Sequence, residues 1–305
     1  MNKGGGTLSA QQRLEQWRAH IEAGLEGVSL LYEGRLSSAC GTAWSKTSPA
    51  LLQASRYVLS GGGGKLLRGL LTVSVAHDLR KSVGESEVEK KAIAVAVGIE
   101  AMHAASLVHD DLPALDNDDL RRGRPSCHKA FDEATAILTA DALFGVALFR
   151  VTTEPSMSSD EHARVSRILS QAWVDLCLGQ DLDLAQQRRQ AASASITTDQ
   201  PQDHLAAIGA GTVRLKTGAL FGAAVASGAL VAGVAEARLE DFWRWGVRIG
   251  ECFQALDDLS DGDKPASERD AVHNDCRVLR QQVGERDSRL ASGTTARLMD
   301  NILAL

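Results

Sequence analysis

Leu14, Trp17, Ile21, Leu25 and Val28 fall three and four positions apart, as one face of an α-helix requires. The same period recurs along nearly the whole chain, and no alternating run of real strand length interrupts it. It predicts helices over 65–79, 88–108, 134–150, 160–188, 203–232 and 236–262, with a weaker pattern from 273 onward that holds one or two more. Pro113 disfavours helical geometry at Leu112, so the helix that begins near Val88 stops near Asp111. The segment Gln187 to Gln202 is rich in Ser, Thr, Gln and Ala, but the composition does not change beyond it. It reads as a loop between helices and not as a domain boundary. No repeat of fixed period is present. The expectation is one all-α domain over residues 1–305, a bundle of about ten or more helices around a central apolar pocket.

Composition narrows the function classes. A chain of 305 residues with 44% hydrophobic and 24% charged residues has enough apolar material for a large core, which excludes wholesale disorder. Basic residues number 33 against 39 acidic, a net charge of −6, which argues against a nucleic-acid binder. It leaves room for a local basic patch facing a small anion. Cys40, Cys127, Cys177, Cys252 and Cys276 are scattered, with no CxxC pair, so neither a zinc site nor a disulfide framework is expected. They read as small buried hydrophobes in a reducing cytoplasm. The N-terminal MNKGGGTLSAQQRLEQW lacks the apolar core of a secretory signal. Gly218 to Ala235 is uncharged but built mainly of Ala, Gly and Val, which predicts a buried core helix and no membrane span.

Two acidic clusters follow apolar helices. The first runs from His109 through Asp110, Asp111 and Asp116 to Asp119, and Arg121, Arg122 and Arg124 come directly after it. The second holds Asp257, Asp258 and Asp261. The helix macrodipole disfavours negative charge at a C-terminal end, so such clusters cost stability unless a cation neutralises them. Asp257 and Asp261 lie one turn apart on one face with Asp258 beside them. Hard oxygen ligands of this kind suit Mg²⁺, which bridges to phosphates. An EF-hand is excluded, because neither cluster has that loop's glycine and terminal glutamate.

The matching cations lie elsewhere. Gly61 to Gly64 lead into Lys65 and Arg68, one turn apart at a helix start, where free N–H groups and the dipole favour an anion. A Walker A loop is excluded, since Leu59 stands at its first glycine and Leu66 at its Ser/Thr.

From about residue 50 to 262 the chain resembles the trans-type isoprenyl diphosphate synthases, with the short-chain farnesyl and geranylgeranyl diphosphate synthases the nearest type. SGGGGKLLRG is similar to that family's GGKRLRP segment, and EAMHAASLVHDDLPALDNDDLRRGRPSCHKAF to its first aspartate-rich motif, with four residues between the acid pair and the third acid. Gly179-Gln180-Asp181-Leu182-Asp183-Leu184 resembles its GQ-x-x-DL stretch, Lys216 to Leu220 its KTG-A-L, and Phe253 to Asp261 its second acidic motif. The resemblance implies an isoprenoid synthase fold, a homodimer, a cytoplasmic location, and three Mg²⁺ ions for which Mn²⁺ can substitute. It implies that Asp110, Asp111 and Asp116 hold metal from one helix, and Asp257, supported by Asp258 and Asp261, from the facing one. Lys65, Arg68, His103 and Arg122 would bind the diphosphate of isopentenyl diphosphate. Arg121, Lys216 and Gln254 would contact an allylic diphosphate, with Thr217 beside the developing cation. His103, among apolar neighbours, also reads as a packed core histidine.

The implied activity joins isopentenyl diphosphate to a dimethylallyl, geranyl or farnesyl diphosphate. Relatives that stop at fifteen carbons tend to carry an aromatic residue four or five positions before the first aspartate. Ala105 and Ser106 stand there, and both are small, which points to geranylgeranyl diphosphate ahead of farnesyl diphosphate. Three departures stand against the pattern: Leu66 for an arginine, Gly69 for a proline, and no lysine after Lys264, with Lys264, Arg269 and Arg277 as the cations left there. The alternatives are a non-catalytic regulatory subunit of a prenyl synthase and a class I terpene cyclase.

Overall fold

The apolar run that ends at Asp110 becomes the central helix of the protein. The structure, a computed structural model, describes residues 8–31, 49–60, 64–80, 85–193, 211–262 and 265–303. In chain order the helices are α1 (Ala10–Leu31), α2 (Pro49–Leu59), α3 (Leu67–Leu79), α4 (Glu85–Asp110), α5 (Cys127–Ala130), α6 (Glu133–Thr152) and α7 (Ser159–Ser193). After them come α8 (Ala219–Val231), α9 (Leu239–Asp261), α10 (Arg269–Arg286), α11 (Ser288–Ser292) and α12 (Thr294–Leu303). Among the described residues the only strands are the paired β1 (Leu120–Arg121) and β2 (Arg124–Pro125), an antiparallel hairpin with Leu120 opposite Pro125.

α4 packs on α3, α6, α8 and α1, and Val95, Val97, Ile99, Ala101, Met102 and Ala105 are buried in that core. Every residue of α8 is buried, as the uncharged Ala/Gly/Val composition requires. Gly250 lies so near α8 that a Cβ there would fall 2.8 Å from Gly218 Cα. This close approach of α9 to α8 sets the end of α9 opposite the π-helical turn Arg214–Gly218 that precedes α8. Gly262 ends α9 with φ 85°, the left-handed conformation that glycine adopts at no steric cost.

The helical period located most of these elements but missed some boundaries. α2 was not expected. α7 continues to Ser193, so Gln187 to Ser193 are helical and not loop; Gln, Arg and Ala favour helix even where apolar spacing fades. The tail holds three helices from Arg269, because α10 is too polar for a strong apolar signal. The part of the expected 203–232 helix before Gly211 lies outside the described residues. Cys127, Cys252 and Cys276 are buried free thiols, whereas Cys177 is exposed; Cys40 lies outside the described residues.

Candidate active site

A cavity of about 600 Å³, open to solvent, lies between the ends of α4 and α9, the start of α3 and the π-turn. Lys65, Arg68, His103, Asp110, Asp116, Arg121, Arg122, Lys216, Thr217, Gln254 and Asp257 all line it. Residues up to 192 positions apart in sequence therefore share one space, through helices that each contribute an end.

On the α3 side, Arg68 Nη1 stands 3.2 Å from His103 Nε2. Arginine only donates, so the imidazole nitrogen accepts and His103 is neutral. Burial, with Arg68, Arg122 and Arg121 nearby, pushes the His103 pKa well below its ordinary value. Burial also lowers Arg68 to about 10, against the pull of Glu100, and its guanidinium lies 4.5 Å from the Phe221 ring centroid. Arg122 adopts φ 55°, and its guanidinium lies beside Gly64, 3.0 Å from where a Cβ on that residue would stand. His103 thus faces the cavity and is not simply packed in the core.

On the acid side, burial pushes Asp110 up to about 6, opposed by Lys216 and reinforced by Asp116 and Asp111. Burial and the neighbouring Asp261 and Asp258 raise Asp257, opposed by Lys65. Lys216 donates to Asp183 at 2.7 Å and stands 3.6 Å from Asp116. Thr217 donates to Gln254 Oε1 at 3.0 Å, and Gln254 donates to Asp258 at 2.7 Å. Asp258 therefore supports Gln254 instead of lining the cavity, and the exposed Asp261 does not line it either.

Asp111 departs from the expected arrangement. It is 2% exposed, accepts from Arg121 Nε at 2.8 Å and also from Nη2, and lines an adjoining cleft that shares Glu100, His103, Arg121 and Arg122 with this cavity. Its carboxylate anchors the β1–β2 hairpin and is turned away from Asp110 by one residue's rotation about the helix end. Likewise Ser106 faces the cavity, whereas Ala105 is fully buried in the core. Arg269 and Arg277 are exposed on α10 and do not line the cavity, and Lys264 lies outside the described residues.

Three residues join the site that the sequence reading did not assign. Asp183 and Gln180, from the GQ-x-x-DL stretch, reach Lys216 and Asp116, the latter at 3.4 Å from Gln180 Nε2. Glu100 is 6% exposed and accepts from the Gly69 N–H at 2.7 Å. Gly69 can make that bond where a proline has no N–H to give. An acid inside an apolar helix, three residues before His103, was the available signal.

The donor set fits Mg²⁺: Asp110, Asp116 and Asp257 offer oxygen ligands from two helices into one cavity whose other wall is cationic. Among the described residues no three such side chains already converge as a preformed cage.

The polyprenyl synthetase family model matches residues 48–277. The chain is 38% identical over 239 residues to farnesyl diphosphate synthase of Haemophilus influenzae, covering 77% of this chain and 70% of that one. It is also 38% identical over 218 residues to geranylgeranyl diphosphate synthase of Rhodobacter capsulatus, covering 70% and 66%. The crystal structure of a geranyltransferase from Legionella pneumophila superposes with a TM-score of 0.71 at 29% identity, over 97% of each chain. The match across the motif-bearing core, on a helical fold shared over nearly the full length, means that the chain belongs to the polyprenyl synthetase family, as a trans-prenyltransferase of the farnesyl and geranylgeranyl diphosphate synthase type.

Proposed function

We propose that the protein is a Mg²⁺-dependent synthase that condenses isopentenyl diphosphate with dimethylallyl, geranyl or farnesyl diphosphate, giving geranylgeranyl diphosphate as main product and farnesyl diphosphate second. The observation that carries this reading is the single cavity bounded by Asp110, Asp116 and Asp257 on one side and by Lys65, Arg68 and Arg122 on the other. Two diphosphates need two cationic sets; Lys65, Arg68 and Arg122 would form one, and Lys216 and Arg121 the other.

Asp110, Asp116 and Asp257 would hold the metal, which supplies positive charge where the departing diphosphate develops its negative charge. Lys216, held by Asp183 and Asp116, presents its ammonium to the allylic diphosphate, with Arg121 beside it. Lys65, Arg68, His103 and Arg122 bind isopentenyl diphosphate. The allylic C–O bond breaks with its electron pair leaving on diphosphate. The alkene of isopentenyl diphosphate then forms the new C–C bond, and a proton passes from the adjacent carbon to the departed diphosphate. Leu107, Leu176, Leu220 and Phe253 give the cavity an apolar wall against which the cation would be shielded from water. The small side chain of Ser106 leaves the path along α4 open to a longer tail.

The reading includes a homodimer in the cytoplasm. Ile137 and Leu138 on α6 and Val174 and Leu178 on α7 are 44–59% exposed, an apolar surface suited to a second copy. By length and composition α4 and α6 are apolar enough to cross a membrane; 67% of the α4 window and 39% of the α6 window are buried within the protein.

The test is incubation of the purified chain with labelled isopentenyl diphosphate and each allylic diphosphate, with and without Mg²⁺, and separation of products by chain length. Condensation with twenty carbons dominant is expected. A product that stops at fifteen carbons overturns the length assignment, and turnover without divalent metal overturns the metal.

A further inference from the structure

We propose that Arg18, on α1 and outside the segment matched by the family model, is a positioning residue of the isopentenyl diphosphate site. By this proposal it holds two backbone carbonyls so that the amides of Lys65 and Leu66 face the diphosphate. The proposal rests on the assignment of the Lys65 loop to isopentenyl diphosphate.

Arg18 donates from Nη2 to the carbonyl of Lys65 at 2.8 Å and from Nη1 to that of Gly64 at 3.3 Å. Those carbonyls belong to the peptide units whose N–H groups are those of Leu66 and Lys65. No cis peptide bond is present among the described residues, and in a planar trans peptide C=O and N–H point in opposite directions. Fixing both carbonyls toward α1 therefore turns both N–H groups to the other side of the loop, where Lys65, Leu66, Leu67 and Arg68 line the cavity. Neither N–H has a hydrogen-bond partner among the described residues.

Leu66 has φ 49° and ψ 35° immediately before the helical Leu67. The left-handed conformation is unfavourable for a side chain other than glycine, and it makes successive N–H groups converge into an anion-binding concavity. Leu66 carries no charge, so anion recognition at this position falls to its backbone. Were the loop released, a peptide flip would replace a donor by a carbonyl oxygen facing the diphosphate. The guanidinium fork can hold two carbonyls at once, which a single ammonium does less well. Trp17 and Ile21 are 1% and 0% exposed, so α1 is anchored independently and Arg18 sits on a fixed support.

Steady-state kinetics with each substrate varied against saturating levels of the other tests this, with Lys65→Ala as reference. Arg18→Ala should raise KM for isopentenyl diphosphate about tenfold, while kcat and the allylic KM change less than about twofold. Arg18→Lys should recover part of the loss. An unchanged isopentenyl diphosphate KM in Arg18→Ala, with Lys65→Ala raising it, overturns the role of Arg18 alone. No effect of Lys65→Ala on that KM overturns the site assignment beneath it. A fall in Tm with both KM values rising together would show that Arg18 merely docks α1, and would also overturn the proposal.

Discussion

The ammonium of Lys216 donates to Asp183 at 2.7 Å and stands 3.6 Å from Asp116, so one cation is shared between the first acidic motif and α7. Gly179 makes this possible, since any Cβ there would strike the Lys216 backbone. Both side chains are about a quarter exposed (25% and 27%), so the pair adds less than about 1 kcal/mol to stability. Its value lies in placement. Asp183→Ala should lower kcat roughly 10- to 100-fold with Tm nearly unchanged. Loss of stability with kcat preserved would show that Asp183 braces the fold instead.

The adjacent acids Asp110 and Asp111 should behave differently. Asp110→Ala and Asp257→Ala should each lower turnover by about 10³-fold or more without unfolding the protein, and chelation should abolish activity until Mg²⁺ is restored. Asp111→Ala should leave the Mg²⁺ concentration needed for half-maximal activity within a few-fold. It should cost about 1–3 kcal/mol of stability, because a buried acceptor for Arg121 is lost. Titrating Mg²⁺ against activity, beside thermal melts, separates these outcomes.

Product length should follow the face of α4 that meets the cavity. Ser106→Phe should shorten the main product by at least one isoprene unit with activity retained. Ala105 is 0% exposed in the core, so Ala105→Phe should lower Tm by overpacking before it changes chain length. Product analysis of both variants checks this, and shortening by Ala105→Phe alone would reverse the assignment.

His77 should impose an acid limit on stability. Its ring packs edge-on against Trp17 at 5.0 Å between centroids, and burial, with Arg80 and Arg13 nearby, lowers its pKa from 6.5 to about 4. The unfolded chain therefore takes up a proton at higher pH than the folded one. The contribution is fully present above 6.5 and is lost as pH falls from 6.5 towards about 4, amounting to less than about 3 kcal/mol. His77→Phe should flatten the fall of Tm over that range.

The sequence by itself determined the helical class, the buried α8 and the helix ends bearing acids, because each follows from spacing within one segment, while the family rested on a resemblance carried by several motifs in order along the chain. Lys65, Arg68, Asp110, Lys216 and Asp257 could be named from their motifs before any of them shared a cavity. What the chain order did not carry was the direction of each side chain once helices packed. Successive residues of a helix point about 100° apart, so Asp110 faces the cavity while Asp111 bonds Arg121, and Ser106 lines the path while Ala105 fills the core. Which of two neighbours faces a site depends on the angle at which α4 meets α3, α6 and α8, and no local pattern sets that angle. The bond from Arg18 to the Lys65 loop spans 47 positions between elements that share no motif. Only the packing of α1 against α3 and α4 brings them together, so that contact belongs to the tertiary structure alone.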